Sequence, residues 1–516
     1  MRKKRLLCLL LALGMLLSLL GCSGTAADAD SNQIYDELAD YYQQKNKDKD
    51  VSISSFALPY LQGLTLDPVT CGDGTQQDIG CLLYEGLVQL DLEMQPQAVL
   101  AQSWSYDAAS YTWTIQLRSG VTFTDGSAFT ASDAAATVRR AQTSARYSGR
   151  LSQVASIRAD GAQTLVIRLT RPNSSFISLL DIPIVKSGTE TELVPLGTGR
   201  YAYVAAAGTE GAYLTANRSW WQQKSLPMDR IDLYTCKNSD TVSYAFYARE
   251  VQLLHCDLSD TASTGAVSSG DFTDADTTVL HYLGFNTSRA PFNSAELRRA
   301  VSQGIDRVGC VSSFLMGHGT AAEYPIHPSS ALYPDKQPQA YSPDDFNTAI
   351  AAAGYGSDAS PVSVTLLVNS ESAHKRDAAA KIAAALSTSA LQVSIAAVPW
   401  SEFVARLKSG NFDLYYGEYK MTADWDLTEL LTGSCNYGRY TSADLTALLA
   451  AERTAQGSAH DTAAAKLYAA FQAQMPFAPI CFERSSVLTI SGVIQGLTPS
   501  LTDPFYNLTD WKIRFA

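Results

Sequence analysis

Between residues 101 and 140 the chain reads AQSWSYDAASYTWTIQLRSGVTFTDGSAFTASDAAATVRR. Tyr111, Trp113, Ile115 and Leu117 alternate with Thr112, Thr114 and Gln116, the period-two pattern of a strand buried on one face. Arg118-Ser119-Gly120 predicts a turn, Val121 and Phe123 resume the alternation, and Asp125-Gly126 predicts a second turn. Thr130 stands three residues before Asp133, so a helix is expected to start there, with Asp133 reaching back to its first residue.

The same two periodicities organise the rest of the chain. Ile79, Leu82, Leu83 and Leu87 share one helical face after the turn at Asp67-Pro68. Strands are expected at 164–170, after a tight turn at Gly197-Thr198-Gly199, and at 281–287, 362–368, 391–398, 412–416, 477–484 and 511–515. Helices are expected at 294–307, 344–355, 373–388 and, as one Ala-rich stretch, at 441–475. Strands alternating with helices predict a mixed α/β architecture with some parallel pairing. No internal repeat is evident.

The N-terminus changes the picture of where such a chain works. Arg2, Lys3, Lys4 and Arg5 precede an apolar run at 6–20, which ends in Leu19-Leu20-Gly21-Cys22. That is the layout of a signal peptide over 1–21, with Cys22 as the lipid-bearing residue of a lipoprotein. Residues 22–50 are polar and read as a tether, with a short helix near 34–42. The localisation expected is extracytoplasmic, held at the bacterial cell membrane through the N-terminal lipid.

At 516 residues the chain is long enough for two or three domains. A formal net charge of −12 argues against nucleic acid as a partner. Of nine cysteines, Cys71, Cys81, Cys236, Cys256, Cys310, Cys435 and Cys481 belong to the globular part. That odd set cannot all pair within one chain; Cys71 with Cys81 and Cys236 with Cys256 are the pairs suggested by proximity, and connectivity is left open. No paired CxxC or HExxH occurs, and no GxSxG, so neither a metal site, a cofactor nor a nucleophile is called for, and the chain reads as a binding protein rather than an enzyme.

The segment SW…YTWTIQLRSGVTFTDGSAFTASD resembles the signature of family 5 of the extracytoplasmic solute-binding proteins, which feed peptide and nickel ABC importers. Three further stretches resemble that family in the same order: Thr65-Leu66-Asp67-Pro68 with YEGL at 84–87, the Gly-Thr-Gly-Arg-Tyr at 197–201, and HYLGFNT followed by Pro291-Phe292 and Ile305-Asp306-Arg307. The resemblance implies a periplasmic-binding-protein-like α/β fold of the large type, two lobes joined by a hinge. It implies a first lobe over 51–282 with an extra subdomain at about 67–194, a second lobe over 283–484, and a return to the first lobe at 485–516. It also implies a monomeric binding lipoprotein that captures peptides between the lobes and passes them to an ABC permease with its ATPase. Alternatives within reach of the same resemblance are a nickel or metal-chelate binder, and a signalling-peptide sensor or chaperone lipoprotein.

The resemblance also implies a ligand site around Thr422-Ala423-Asp424-Trp425-Asp426. Asp424 matches the family's ammonium-binding carboxylate and Trp425 the aromatic beside it. A carboxylate suits a buried ammonium because the pair gains strength where water is excluded. Asp424 could instead cap a helix starting near Leu427, or Asp426 could be the functional acid. Trp400 and Tyr419 are either cleft walls or core, and Arg376 either meets a ligand carboxylate or is solvated.

Overall fold

The structure, a computed structural model, describes residues 52–258, 270–334, 341–352, 354 and 361–516. The expected signal peptide, Cys22, the tether and its short helix lie outside the described residues. No helix of the described residues is long and apolar enough to cross a membrane.

Three sheets carry the architecture. The segment around the signature forms a four-stranded antiparallel sheet, ordered Ala101–Asp107, Thr112–Leu117, Thr164–Leu169, Val154–Ala159. Its pattern follows from the alternation: Trp113, Ile115 and Leu117 are buried while Thr112, Thr114 and Gln116 are not. Helix Ala131–Ala141 covers that face with Ala131, Ala134, Ala135 and Val138. Asp133 takes the backbone N–H of Thr130 at 2.9 Å and its hydroxyl at 2.7 Å, which fixes the helix start. At the other end of that helix, Arg140 makes a bidentate pair with buried Asp67 at 2.7 and 2.9 Å, tying the Asp-Pro turn to the signature.

A second sheet is ordered Ala57–Leu61, Arg230–Cys236, Tyr213–Ala216, Tyr201–Val204, with its first pair parallel. The third has seven strands, in the order Leu253–Cys256, Phe477–Ile490, Gly270–Phe285, Leu414–Lys420, Val362–Asn369, Leu391–Val398, with Gly319–Ala321 attached to Phe477–Ile490. Val362–Asn369 runs parallel to both of its neighbours.

Two long antiparallel strands, Gly270–Phe285 and Phe477–Ile490, join the halves of the molecule. Leu488 and Ile490, near one end, pack with Ala57, Leu61 and Phe246 in the core of the second sheet. Leu283, Ala478 and Ile480, near the other, belong to the core under helices Ala295–Gln303, Arg307–Phe314 and Ala373–Leu386. Their register shifts between Asp276 and Leu280, at the passage from one core to the other. A bulge bends a strand locally, so two lobes connected there form a hinged pair. Each fully buried Phe of these cores contributes on the order of 2 kcal/mol.

Several expected elements differ in extent. The helix expected at 294–307 is two, Ala295–Gln303 and Arg307–Phe314, because Asp306 caps a fresh start by accepting from Gly309 N at 2.8 Å. The Ala-rich stretch is likewise two helices, Ala443–Thr454 and Ser458–Gln474, divided where Gly457 has φ +56. Gly197 and Gly199 are not turn glycines with positive φ. They press against the end of helix Gly74–Leu83, and a Cβ on Gly199 would lie 2.4 Å from the Leu83 carbonyl carbon. The seven cysteines are all free. The suggested pairs are not made: Cys81 Sγ donates to Gln77 O and Thr502 O, and Cys236 Sγ to Thr241 O.

Candidate functional site

A cavity of about 950 Å³ opens between the lobes. Its walls are the segment 145–153 and Arg171 from the antiparallel-sheet subdomain, Glu85 to Leu90 and Arg200 from the neighbourhood of the second sheet, and Tyr419 to Asp424 with Asp426 from the end of strand Leu414–Lys420.

Asp424 lines this cavity and is 3% exposed. Its Oδ2 accepts from Arg453 Nη2 at 2.9 Å and from Asn173 Nδ2 at 2.8 Å; its Oδ1 accepts from the Thr422 hydroxyl at 2.6 Å. Burial alone would raise the Asp424 carboxyl, but Arg453 and the Thr422 and Asn173 bonds outweigh it and hold the group below the usual carboxylate range. Asp426 pairs with Arg171 at 3.0 Å and accepts from Thr428 N at 2.9 Å. Bonding the amide at the start of helix Thr428–Leu431 thus falls to Asp426, and the buried ion pair to Asp424.

The partners come from both lobes. Residues 171–175, which follow strand Thr164–Leu169, supply Arg171, Asn173, the Ser174 N–H to Arg453 O at 2.9 Å, and the Ser175 hydroxyl 3.2 Å from His460 Nε2. Trp113 holds this segment in place by donating its indole N–H to Asn173 O at 3.1 Å, and the Tyr106 hydroxyl accepts from Asn173 N at 3.1 Å.

Elsewhere in the lining, Arg150 pairs with Asp181, Arg200 with Asp503 at 2.8 Å, and His255 with Asp78 at 3.0 Å. Glu85, of the YEGL stretch, is enclosed and accepts from Trp220 and Trp221 at 2.9 Å each and from the Thr198 hydroxyl at 2.8 Å. Burial raises its carboxyl despite those bonds.

Of the residues singled out in the sequence, Asp424, Asp426 and Tyr419 line the cavity, and burial pushes the Tyr419 phenol up to about 12. The other three do not line it. Trp425 is 7% exposed and meets Phe482 edge-on in the core, with rings 5.8 Å apart. Trp400 is 54% exposed and stacks on Phe403 at the start of helix Trp400–Ser409. Arg376 turns its guanidinium onto the carbonyl of Ser370. Arg146, Arg150, Arg171, Asn173, Lys420 and Arg453 were not singled out. They are brought together from remote segments, and no local pattern marks them.

A separate cluster sits outside the cavity lining. His281 Nε2 lies 2.6 Å from Glu483 and its Nδ1 lies 2.6 Å from the Tyr416 hydroxyl. Ligand atoms of His281, Glu418 and Glu483 fall within 4.8 Å of one another, and Lys375 pairs with Glu418. These residues stand on three strands, so no spacing along the chain could have displayed a metal-like set.

Two lobes, two connecting strands and a charged cavity between them define a binding protein of the periplasmic type. Solved structures share the fold. The periplasmic murein tripeptide-binding protein MppA, in its unliganded open form, matches with a TM-score of 0.76 at 19% identity, over 90% of this chain and 98% of that one. NikA from Brucella suis, in complex with Fe(III)-EDTA, matches with a TM-score of 0.68 at 18% identity, over 90% and 100%. In sequence, the chain is 27% identical over 304 residues to the glutathione-binding protein GsiB of Escherichia coli K12, covering 56% of this chain and 59% of that protein. The match thus spans little more than half the length of that relative. Residues 95–436 match the middle region of the bacterial extracellular solute-binding proteins, family 5, and the chain belongs to that family.

Proposed function

We propose that this protein is the substrate-binding component of an ABC importer, a non-enzymatic lipoprotein anchored through Cys22 that captures short peptides and delivers them to a membrane permease. The observation that carries the reading is the cavity of about 950 Å³ walled by both lobes and lined by fixed charges of both signs. Such a volume lies at the upper end of ligand-sized pockets and suits a zwitterion of a few residues. Asp424 Oδ1 accepts one hydrogen bond, so one of its lone pairs remains for the ligand ammonium, and Tyr419 offers a ring beside it. Relatives named for glutathione and for a murein tripeptide support the peptide class. Acting as a monomer, the protein closes its lobes about the strand passage at 276–280, and the closed form docks on the permease.

A metal chelate is the second reading, supported by the NikA complex and by the cations that line the cavity. Native mass spectrometry of the mature protein, made without its lipid-bearing Cys22 and offered a peptide pool and Fe(III)-EDTA, separates the two. Intact peptides retained by the wild type support the peptide class; retention of the chelate alone replaces it with the second reading. Cleaved peptides in the eluate would point to an enzyme and sink both.

A further inference from the structure

Outside the cavity, His281, Glu418 and Glu483 combine the donor types and the closeness that a metal ion needs. His281 stands on strand Gly270–Phe285, directly across from Glu418 on strand Leu414–Lys420. Glu483 comes from strand Phe477–Ile490, which flanks His281 on its other side and pairs it with Cys481, two residues away. One ligand atom from each of the three lies within 4.8 Å of the others. Strands in fixed register hold such donors more firmly than loops would. A register shift falls between His281 and Tyr282, and bulges of this kind re-aim a side chain. The imidazole is fully buried: its Nε2 faces the Glu483 carboxylate at 2.6 Å, and its Nδ1 is held from behind by the Tyr416 hydroxyl at 2.6 Å. Metal-ligating histidines are oriented in this way, through a hydrogen bond at the nitrogen that does not bind. The two glutamate side chains are 35% and 22% exposed, so the set opens to solvent, and none of the three lines the interlobe cavity.

We infer that His281, Glu418 and Glu483 bind a divalent transition-metal ion of the zinc type, which displaces the Lys375 ammonium and ties three strands of this lobe together. Lys375, at the start of helix Ala373–Leu386, pairs with Glu418 and supplies one positive charge against two carboxylates. A divalent ion supplies both charges and adds a bond to the imidazole, which the ammonium, a donor only, cannot make. An imidazole nitrogen among carboxylates suits zinc or nickel better than calcium or magnesium, which prefer all-oxygen sets. Bonds of about 2 Å put tetrahedral donors about 3.3 Å apart, so the widest separation here has to close by at most about 1.5 Å. The long, partly exposed glutamates have that freedom, while the buried imidazole stays in place. On loading, the hydrogen that Nε2 directs at Glu483 passes to Nδ1, where the Tyr416 oxygen accepts it. The fourth position falls to water or to His374, whose ring centre lies 6.3 Å from that of His281.

The test takes the mature protein, made without its lipid-bearing Cys22 and without a histidine tag, and titrates it with Zn²⁺ by calorimetry and with Co²⁺ by visible absorption. The wild type is expected to take one Zn²⁺ with a Kd of about 1 μM or tighter. Its Co²⁺ form should show d–d bands without the intense sulfur charge-transfer band that a bond to any of the seven cysteines would give. Glu483→Gln and Glu418→Gln should each weaken Zn²⁺ binding at least about tenfold, with thermal melts confirming that both variants fold. Lys375→Met removes the competing ammonium and should tighten binding about threefold, a gain that a damaged fold cannot mimic. Zinc held equally by the wild type and both glutamine variants is an adventitious ion only and overturns the site. A sulfur band, or the lack of saturable binding, overturns it as well. Lys375→Met binding no tighter than wild type would show that the ammonium is not displaced, and the inferred arrangement falls with it.

Discussion

The Nδ2 of Asn173 donates to Oδ2 of Asp424 at 2.8 Å, joining residues 251 positions apart and on different lobes. Asn173 is placed by Trp113, whose indole bonds its carbonyl and whose ring stacks on Tyr106, 5.0 Å centroid to centroid. The strand that reads most plainly in the sequence therefore does more than fill a core. It sets the position of the group that reaches across to the acid at the cavity wall.

Asp424 is first a structural acid. Its partner Arg453 is buried, and Asp426, 3.6 Å from the same Nη2, replaces only part of the lost interaction. Asp424→Ala is expected to cost about 3 kcal/mol, because it leaves a guanidinium buried with an incomplete counter-charge. Urea unfolding measures this. The double variant Asp424→Leu with Arg453→Met should recover most of the loss, since removing both charges together removes the desolvation problem. A double variant no more stable than the single one would show that the pair is not the cause.

Arg171 acts between the lobes, with 39% of its side chain exposed and its Nη2 on Asp426. A pair with its cation largely in solvent adds about 1 kcal/mol or less to global stability, so Arg171→Ala should shift the melting midpoint little. Its effect should fall on the balance between open and closed forms. Small-angle scattering of the unliganded variant is expected to give a larger radius of gyration than wild type, with the difference shrinking on ligand binding. Equal radii in the unliganded state would remove Arg171 from the closure.

Much of this architecture was legible because it is local. The alternation at 111–117, the pairing of Thr130 with Asp133, and the strands 362–368 and 391–398 all follow from neighbours within one or two turns or pleats. What was not legible depends on partners far along the chain. The strand at 281–287 begins eleven residues earlier, at Gly270, because Phe477–Ile490 pairs with polar residues such as Asp271, Thr273 and Asp274 that carry no strand alternation. The site divides in the same way. Asp424 sits in a loop with a recognisable pattern and Tyr419 at the end of the strand before it, whereas Arg146, Asn173 and Arg453 gain their roles only from tertiary placement. Trp400 and Trp425 show the converse, because aromatic character in a sequence does not say which side of a wall a ring will occupy.

The Gly-Thr-Gly stretch tests a packing argument. Gly199 donates its N–H to Leu83 O at 2.9 Å, and a Cβ there would lie 2.5 Å from both the Leu82 and Leu83 carbonyl oxygens. These are backbone atoms at a helix end and cannot rotate away. Gly199→Ala is expected to destabilise the protein by on the order of 3 kcal/mol, readable as a lowered urea midpoint at unchanged slope. Gly208→Ala is the control, since a Cβ at that glycine meets nothing within 4 Å. It carries only the strain of its positive φ and should cost about 1 kcal/mol. If the two substitutions cost the same, close packing is not what the Gly-Thr-Gly stretch provides.

His255 and Asp78 give the cavity wall a pH dependence whose sign is fixed by their geometry. The His255 Nδ1 lies 3.0 Å from Asp78 Oδ1. Burial opposes the imidazolium, but the facing carboxylate outweighs burial and raises the His255 pKa above its ordinary 6.5. A histidine whose folded pKa is raised contributes stability in full below its unfolded pKa and loses it as the pH rises through the folded value. Asp78→Asn removes the carboxylate and leaves burial to act alone, which lowers the His255 pKa and makes protonation unfavourable to the fold. The variant should therefore melt below wild type at about pH 5.5 and approach it at about pH 8.5. Melting curves at the two pH values give the comparison directly, and His255→Gln paired with Asp78→Asn should flatten the difference. A loss of the same size at both pH values would assign Asp78 a packing role and leave His255 uncharged in the folded protein.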